Sequence, residues 1–218
     1  MRIIGGKWRS RRLVRPAGTA TRPMPDRVKE AVFGILGSCY DCPGRLPPLR
    51  VADVFAGGGG VGLEALSRGA AMCYFFERDP LALAALFQNI ESVLKPPHPP
   101  LSPKGNEGIH GPLPTELAQA PIVEVVPGDA WRRSMAMSAG CAFDLMLVDP
   151  PYADSDDISE AGAVVRYLAG LGKLEKRAQD GTLLVLHHAA KSGCEPPDSW
   201  RVIDQRAFGS NAITFLVR

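Results

Sequence analysis

With 218 residues, 45% of them hydrophobic and 22% charged, the chain is rich enough in apolar residues for one globular domain and too rich for a disordered one. No run approaches the roughly 20 apolar residues of a membrane span. The start, Met1-Arg2-Ile3-Ile4-Gly5-Gly6, leads into arginines rather than into the apolar stretch of a secretion signal, so a soluble, cytoplasmic protein with no membrane partner is expected. Five scattered cysteines (Cys39, Cys42, Cys73, Cys141, Cys194) suit reduced thiols, and Cys39-x-x-Cys42 lacks the second pair or nearby His that a zinc site needs, so no metal is expected. The net charge of +2 conceals an asymmetry: residues 1 to 29 hold nine basic side chains and one acid, the remainder 16 basic and 22 acidic. Such a cluster is the electrostatic footprint that a phosphate backbone selects, and a solvated arm is its bland counterpart. Trp8 among Lys7, Arg9, Arg11 and Arg12, after Gly5-Gly6, favours a folded basic hairpin over a tail. Residues 1–24, with Arg22, therefore read as a docking segment and 25–218 as the main domain.

In chain order, Pro25-Asp26 reads as a helix start with Asp26 as cap, and Val28, Ala31, Val32, Ile35 and Leu36 follow at helical spacing to an end near Gly37. After a Pro- and Gly-containing connector, Arg50 to Phe55 reads as a buried strand, broken by Gly57 to Gly60. Val61 to Arg68 is helical, Met72 to Phe76 a second apolar strand ending in Glu77, and Leu81 to Leu94 a further helix. Residues 95–121 hold eight prolines and no periodicity, so they read as a flexible surface insertion whose His98 and His110 are not expected to bind metal. Strands follow at Ile122–Val126 and Phe143–Val148, a helix around Ala161–Leu171 and a strand at Thr182–His187. Two final strands, Trp200–Arg206 and Ala212–Arg218, flank a turn and suggest an antiparallel hairpin at the sheet edge. Alternating strands and helices imply a parallel sheet covered on both faces.

The sharpest motif is Asp149-Pro150-Pro151-Tyr152, at the end of the apolar run Leu145-Met146-Leu147-Val148. Two prolines donate no N–H and stiffen the turn, leaving carbonyl acceptors beside the Asp149 carboxylate; Tyr152 offers a flat face on which a base can stack. Together they suit a planar ring carrying an exocyclic amine. Phe55-Ala56-Gly57-Gly58-Gly59-Gly60-Val61-Gly62 sits at a strand-to-helix turn, where glycines admit a ligand close to the backbone and a helix offers free N–H groups. Gly57, Gly59 and Gly62 satisfy G-x-G-x-x-G, and Glu77, 20 residues after Gly57, is placed to accept from ribose hydroxyls, so a dinucleotide cofactor is a live alternative. Ligands of open parallel sheets bind outside the carboxyl ends of the strands, and here Asp53, Glu77, Asp129 and Asp149 all end strands. Four carboxylates repel a pyrophosphate and favour a cationic cofactor, S-adenosylmethionine, with the glycine loop holding the amino-acid tail, Glu77 the ribose and Asp129-Ala130 the adenine.

The chain resembles the bacterial RsmD-type ribosomal RNA guanine-N2 methyltransferases. The resemblance is carried by Arg2-Ile3-Ile4-Gly5-Gly6-Lys7-Trp8-Arg9, by Arg22-Pro23 with Asp26-Arg27-Val28-Lys29-Glu30-Ala31-Val32-Phe33, and by Asp53-Val54-Phe55-Ala56-Gly57 running to Gly62-Leu63-Glu64-Ala65-Leu66-Ser67-Arg68-Gly69-Ala70. It continues through Glu77, Gly128-Asp129-Ala130 and Asp149-Pro150-Pro151-Tyr152. It implies an α/β, Rossmann-like class I S-adenosylmethionine-dependent methyltransferase: a seven-stranded, mostly parallel sheet with an antiparallel C-terminal hairpin. It implies methylation of 16S ribosomal RNA, free or in an assembling small subunit, by a monomer. Cofactor contacts are then expected at Asp53, Phe55, Ala56, Gly57, Gly59, Gly62, Glu77, Asp129 and Ala130, the target amine at Asp149, Pro150, Pro151 and Tyr152, and RNA at Lys7, Trp8, Arg9, Arg11, Arg12 and Arg22. Met24 and Pro25 replace residues that are commonly hydroxylic in the family, Gly59 a common Ser, and the 95–121 insertion is foreign to it. Arg22, Asp26 and Glu30, four apart, suggest a lid over the cofactor or an ion-pair ladder. An amino-methyltransferase acting on DNA adenine N6 or cytosine N4, a nicotinamide oxidoreductase and a non-enzymatic RNA-binding module are the competing readings.

Overall fold

The computed structural model describes residues 1–18, 24–95, 120–151, 162–174, 181–190 and 195–218. Seven strands form one sheet: β1 (Arg50–Val54), β2 (Met72–Glu77), β3 (Ile122–Pro127), β4 (Leu145–Val148), β5 (Leu183–Ala189), β6 (Arg201–Phe208) and β7 (Asn211–Val217). Their spatial order is β3-β2-β1-β4-β5-β7-β6, with β3 through β5 parallel and β7 antiparallel to both β5 and β6. This is the expected mostly parallel, Rossmann-like sheet with an antiparallel C-terminal hairpin. Its order reverses between β1 and β4, and the crevice beyond the carboxyl ends of those strands is where such sheets bind ligands.

The apolar runs explain the layers. Strands β4 and β5 are buried along their whole length, as central parallel strands covered on both faces must be. Alternation divides their side chains: Val51, Phe75, Leu145, Leu147, Val185 and Phe215 pack on one face with α2 (Gly62–Arg68) and α3 (Pro80–Leu94). Val54, Phe76, Met146, Val148, Leu186 and Leu216 pack on the other with α4 (Ala130–Gly140) and α5 (Ala163–Gly172). Odd-numbered positions of β1, β4, β5 and β7 share the first face, which places Asp53, Asp149, His187 and Asn211 on one side at one end of the sheet.

Three local outcomes differ from the sequence pattern. Asp26, expected as a cap, is instead the first residue of α1 (Asp26–Cys39); Pro25 holds the cap position, and the Asp26 carboxylate accepts from Arg2 Nε at 2.7 Å, an ionic partner replacing the local bond. The cap that forms is Asp79, whose side chain accepts from the N–H groups of Leu81 and Ala82 at the start of α3. Helix α4 is not announced by apolar periodicity; it stands on an Asp129 cap and on Ser134 and Ser138 hydroxyls that donate to carbonyls one turn back. Of the Arg22, Asp26 and Glu30 pattern, Arg22 lies outside the described residues, while Asp26 opens α1 and pairs with Arg2. His98, His110 and most of the 95–121 segment also lie outside them. Among the described residues no helix is long and apolar enough to cross a membrane, and no cluster of three His, Cys, Asp or Glu could hold a metal.

Residues 1–13 fold back on themselves. Arg2 and Arg12 form an antiparallel bridge, the N–H of Ile3 donates to the Arg11 carbonyl at 2.9 Å, and a single 3-10 turn spans Gly6–Trp8. The loop is sewn into the core rather than appended to it, with Ile3 fully buried and Leu13 nearly so.

Candidate active site

The glycine loop leaves β1 through Phe55, a non-glycine residue at φ 70°, a strained conformation of the kind found at functional sites. Gly57 (φ 54°) is the loop's open point: a Cβ added there would meet nothing within 4 Å among the described residues. Gly62 is the closed point, where a Cβ would lie 2.5 Å from Phe75 Cε1 and 2.7 Å from Asp53 Oδ2. Two carboxylates brace the loop from below. Glu77 Oε2 accepts from the Gly57 N–H at 2.8 Å, while its Oε1 accepts from the N–H groups of Arg78 and Asp79. Asp53 Oδ2 accepts from Gly62 N–H, the first residue of α2, at 2.8 Å. Burial pushes the Asp53 carboxyl up to about 7; the Gly62 bond opposes the shift, and the nearby Asp149 and Glu77 charges add to it. A site holding that much suppressed negative charge favours a cationic guest and disfavours a phosphate.

The adjoining wall comes from the β3 end. The Gly128 N–H donates to the Glu77 carbonyl at 2.8 Å, Asp129 caps α4 by accepting from the Arg132 N–H, and Ala130 is buried. The Phe55 ring meets Trp131 edge-on at 4.6 Å, and Trp131 in turn contacts Tyr167. Trp131 Nε1 is buried with no partner among the described residues, an orphaned donor beside the cradle. Asp53, Phe55, Ala56, Gly57, Gly59, Gly62, Glu77, Asp129 and Ala130 thus gather at one edge of the sheet. Within that set, Asp53 and Gly62 are internal braces, whereas Gly57 faces open space.

Asp149 leaves β4 with its N–H donating to the Val54 carbonyl, which fixes it beside the glycine loop. Its Oδ1 lies 2.6 Å from Nδ1 of His187, whose Nε2 lies 3.2 Å from Asn211 Oδ1. Pro150 is buried and Pro151 partly so; Tyr152 lies outside the described residues. The sequence reading missed His187, Asn211 and Trp131. The available signal was a pair of histidines interrupting the buried run Leu183-Leu184-Val185-Leu186 at the same carboxyl edge.

The basic segment is anchored beneath by a buried ionic cluster. Glu64, fully buried, pairs with Arg68 at 2.8 Å and with the buried Lys29 at 3.5 Å, and also accepts from the Ile4 N–H. Burial pulls the Lys29 ammonium below its ordinary value despite that partner. Ser67 Oγ accepts from the Trp8 N–H and donates to the Gly5 carbonyl. Lys7, Arg9 and Arg12 remain exposed, and Lys7 Nζ sits 4.6 Å over the Trp8 ring. Arg11 is partly buried and donates to the Ser92 carbonyl.

The strand order and the site outside the β1 and β4 ends define a Rossmann-like fold of the methyltransferase type. It superimposes on a solved Escherichia coli protein provisionally named the methyltransferase YhhF, with a TM-score of 0.70 and 26% identity, covering 100% of this chain and 97% of that one. Residues 1–98 match the family model described as conserved hypothetical protein 95. Over 93 residues the chain is 42% identical to YlbH of Bacillus subtilis (strain 168), provisionally named an rRNA methyltransferase, and 39% identical to ribosomal RNA small subunit methyltransferase D of Escherichia coli (strain K12). Those stretches cover 43% of this chain and 47% and 44% of the two relatives, so the match spans about half the length of each. The chain is thus similar to that family model over residues 1–98 and to these two relatives over 93 residues.

Proposed function

We propose that the protein transfers a methyl group from S-adenosylmethionine to the exocyclic N2 amine of a guanine in small-subunit (16S) ribosomal RNA. The observation that carries this reading is the meeting, at one sheet edge, of an open cradle at Gly57 braced by Glu77 with the Asp149 carboxylate at the head of a double-proline turn. The names of the rRNA-directed relatives suggest the substrate class, and the N2 position rests on the family resemblance. In this reading the protein works in the cytoplasm, as a monomer, on free or assembling subunit RNA.

The residues fit the cofactor. Its cationic sulfonium and ammonium suit an edge carrying Glu77 and Asp149 with Asp53 buried behind it, its amino-acid tail the open face at Gly57, and its ribose hydroxyls the Glu77 carboxylate. Bound there, it supplies an electrophilic methyl group. An exocyclic amine conjugated with its ring is a poor nucleophile. Asp149 and the Pro150 carbonyl would accept hydrogen bonds from its two N–H groups, which favours pyramidal nitrogen and aims its lone pair. The bound cofactor would supply the methyl group, its C–S bond giving way to the new C–N bond, and Asp149 or solvent would take the proton shed by nitrogen. Tyr152 would hold the ring by stacking, and Lys7, Trp8, Arg9, Arg11, Arg12 and Arg22 would hold the surrounding RNA. The base must leave its stack to enter, at a cost of a few kcal/mol that is least for an unpaired nucleotide.

The test is incubation of the protein with methyl-labelled S-adenosylmethionine and unmodified small subunits, followed by mapping of the labelled nucleotide. Label in one guanine N2, lost at least 100-fold in Asp149→Ala with cofactor affinity within a few fold, is the expected result. Label only in DNA adenine or cytosine amines, or tight binding of a nicotinamide dinucleotide in place of S-adenosylmethionine, overturns the reading.

A further inference from the structure

His187 lies near the end of β5, in a strand whose every side chain is buried. Histidine there carries a desolvation cost, so its polar contacts decide its role. Its neighbour His188 faces the opposite side of the sheet and is tied to the Thr214 hydroxyl at 2.8 Å and the Ala189 carbonyl, contacts internal to the β5–β7 pair. His187 instead faces the site. One ring nitrogen meets Asp149, 38 positions away on the neighbouring strand end, and the other meets Asn211 at the start of β7. A carboxylate offers only acceptors, so Nδ1 carries a proton and donates to Asp149 Oδ1, while Nε2 faces the side-chain amide of Asn211.

We propose that His187 is a positioning residue for Asp149: it occupies Oδ1, fixing the carboxylate plane so that Oδ2 is the oxygen presented to the target amine. The proposal rests on the reading of Asp149 as amine acceptor. The 2.6 Å contact is in the range of a charge-assisted bond, and the Asp149 side chain is 29% exposed, so one oxygen is held while the group still reaches the crevice. Asn211 locks the ring from behind, as the third member of a positioned chain does in other enzymes. Among the described contacts, Asp149 is a charged group acting on His187 and Asn211 a polar partner from β7; Asp53, one strand further, acts on the same carboxylate cluster. Burial lowers the His187 imidazolium's affinity for its proton, and the Asp149 bond and charge, with Asn211, outweigh it, so the net displacement is upward.

Two measurements test this. In single-turnover methyl transfer at saturating cofactor and RNA, His187→Ala is expected to slow the rate on the order of 10–100-fold, the scale of a slightly misaimed catalytic group, with the cofactor Kd and RNA KM within twofold of the parent. His187→Gln, which still donates from a side-chain N–H, is expected to recover the rate to within about threefold. A wild-type rate in His187→Ala overturns the proposal. So does an equal loss of cofactor affinity, or a Gln variant as slow as the Ala variant. The second measurement is independent of turnover: nitrogen-15 NMR of the imidazole should show His187 titrating above an ordinary histidine, and Asp149→Asn should lower the midpoint; an unmoved midpoint overturns the pairing. If the parent protein transfers no methyl group at all, the functional reading fails, while the NMR result still decides the pairing.

Discussion

Replacing Gly57 by alanine separates a cradle from a mere turn. Among the described residues nothing lies within 4 Å of the added Cβ, so packing against them contributes no penalty. The backbone does, because φ is 54°, and a non-glycine residue in the left-handed region costs roughly 1–2 kcal/mol. For a chain of this size about 1 kcal/mol corresponds to about 2–4 °C, so the melting temperature should fall by about 2–8 °C. The methyl group also enters the open face assigned to the cofactor, and S-adenosylmethionine affinity measured by calorimetry should fall at least about tenfold, equivalent to ~1.4 kcal/mol. Gly62→Ala is the contrast: its Cβ would crowd Phe75, Asp53 and Cys73, all internal, so its main effect is an overpacking cost of about 1–3 kcal/mol. The reasoning is refuted if Gly57→Ala melts a few degrees lower yet binds the cofactor within twofold of the parent, because the open face would then not be the binding face.

Removing the Glu64 charge should be far more costly than a surface substitution. Glu64→Gln leaves Lys29 buried beside a neutral group, and urea unfolding should show about 3–5 kcal/mol of lost stability; a loss under about 1 kcal/mol would mean that Lys29 finds other support. Asp53, with its folded carboxyl up at about 7, makes the native state bind more protons than the unfolded state between about pH 4 and 7, so stability falls as pH rises through that window. Asp53→Asn should remove that slope, its advantage over the parent growing from pH 5 to pH 8 in urea titrations. A parallel offset at both pH values would contradict the assigned shift. The His187 pair has the same sign, its contribution being present below pH 6.5 and lost as pH rises through its raised value, so a shallow slope should survive in Asp53→Asn. Neutralising the exposed Arg9 and Arg12 should weaken RNA binding and flatten its dependence on salt, each lost phosphate contact removing roughly 0.7–0.9 from the log–log slope; an unchanged slope would place the RNA elsewhere.

What could be read in advance follows the range of the forces involved. Apolar runs such as Leu145-Met146-Leu147-Val148 declare buried strands locally, and a sheet's alternation then places Asp53 and Asp149 on one face at one end. Glu77 was legible for the same reason, as the first acid after an apolar strand. Contacts across the sheet were not. The Asp149–His187 bond joins residues 38 apart, and the Glu64–Lys29 pair depends on α1 and α2 packing against each other, which no local pattern specifies. Asp26 shows the limit most plainly, since its local role as a cap lost to an arginine 24 residues earlier.

The basic segment reads differently once its anchors are known. Charge composition alone also fits a solvated arm, but Ile3 and Leu13 fill the core and Glu64, Ser67 and Lys29 hold the main chain of residues 2–8. Asn89 of α3 carries the connection further. Nearly fully buried, it accepts from the Val14 N–H at 2.7 Å and donates to the carbonyls of both Val14 and Gly58, so one side chain holds the segment and the glycine loop together. A nucleic acid bound to the exposed Lys7, Arg9 and Arg12 would therefore be held in a frame fixed to the Gly57 cradle. On the proposed reading, the charge asymmetry of the sequence would thus act as a fixed positioning surface, which is what aligning one nucleotide with a methyl donor demands.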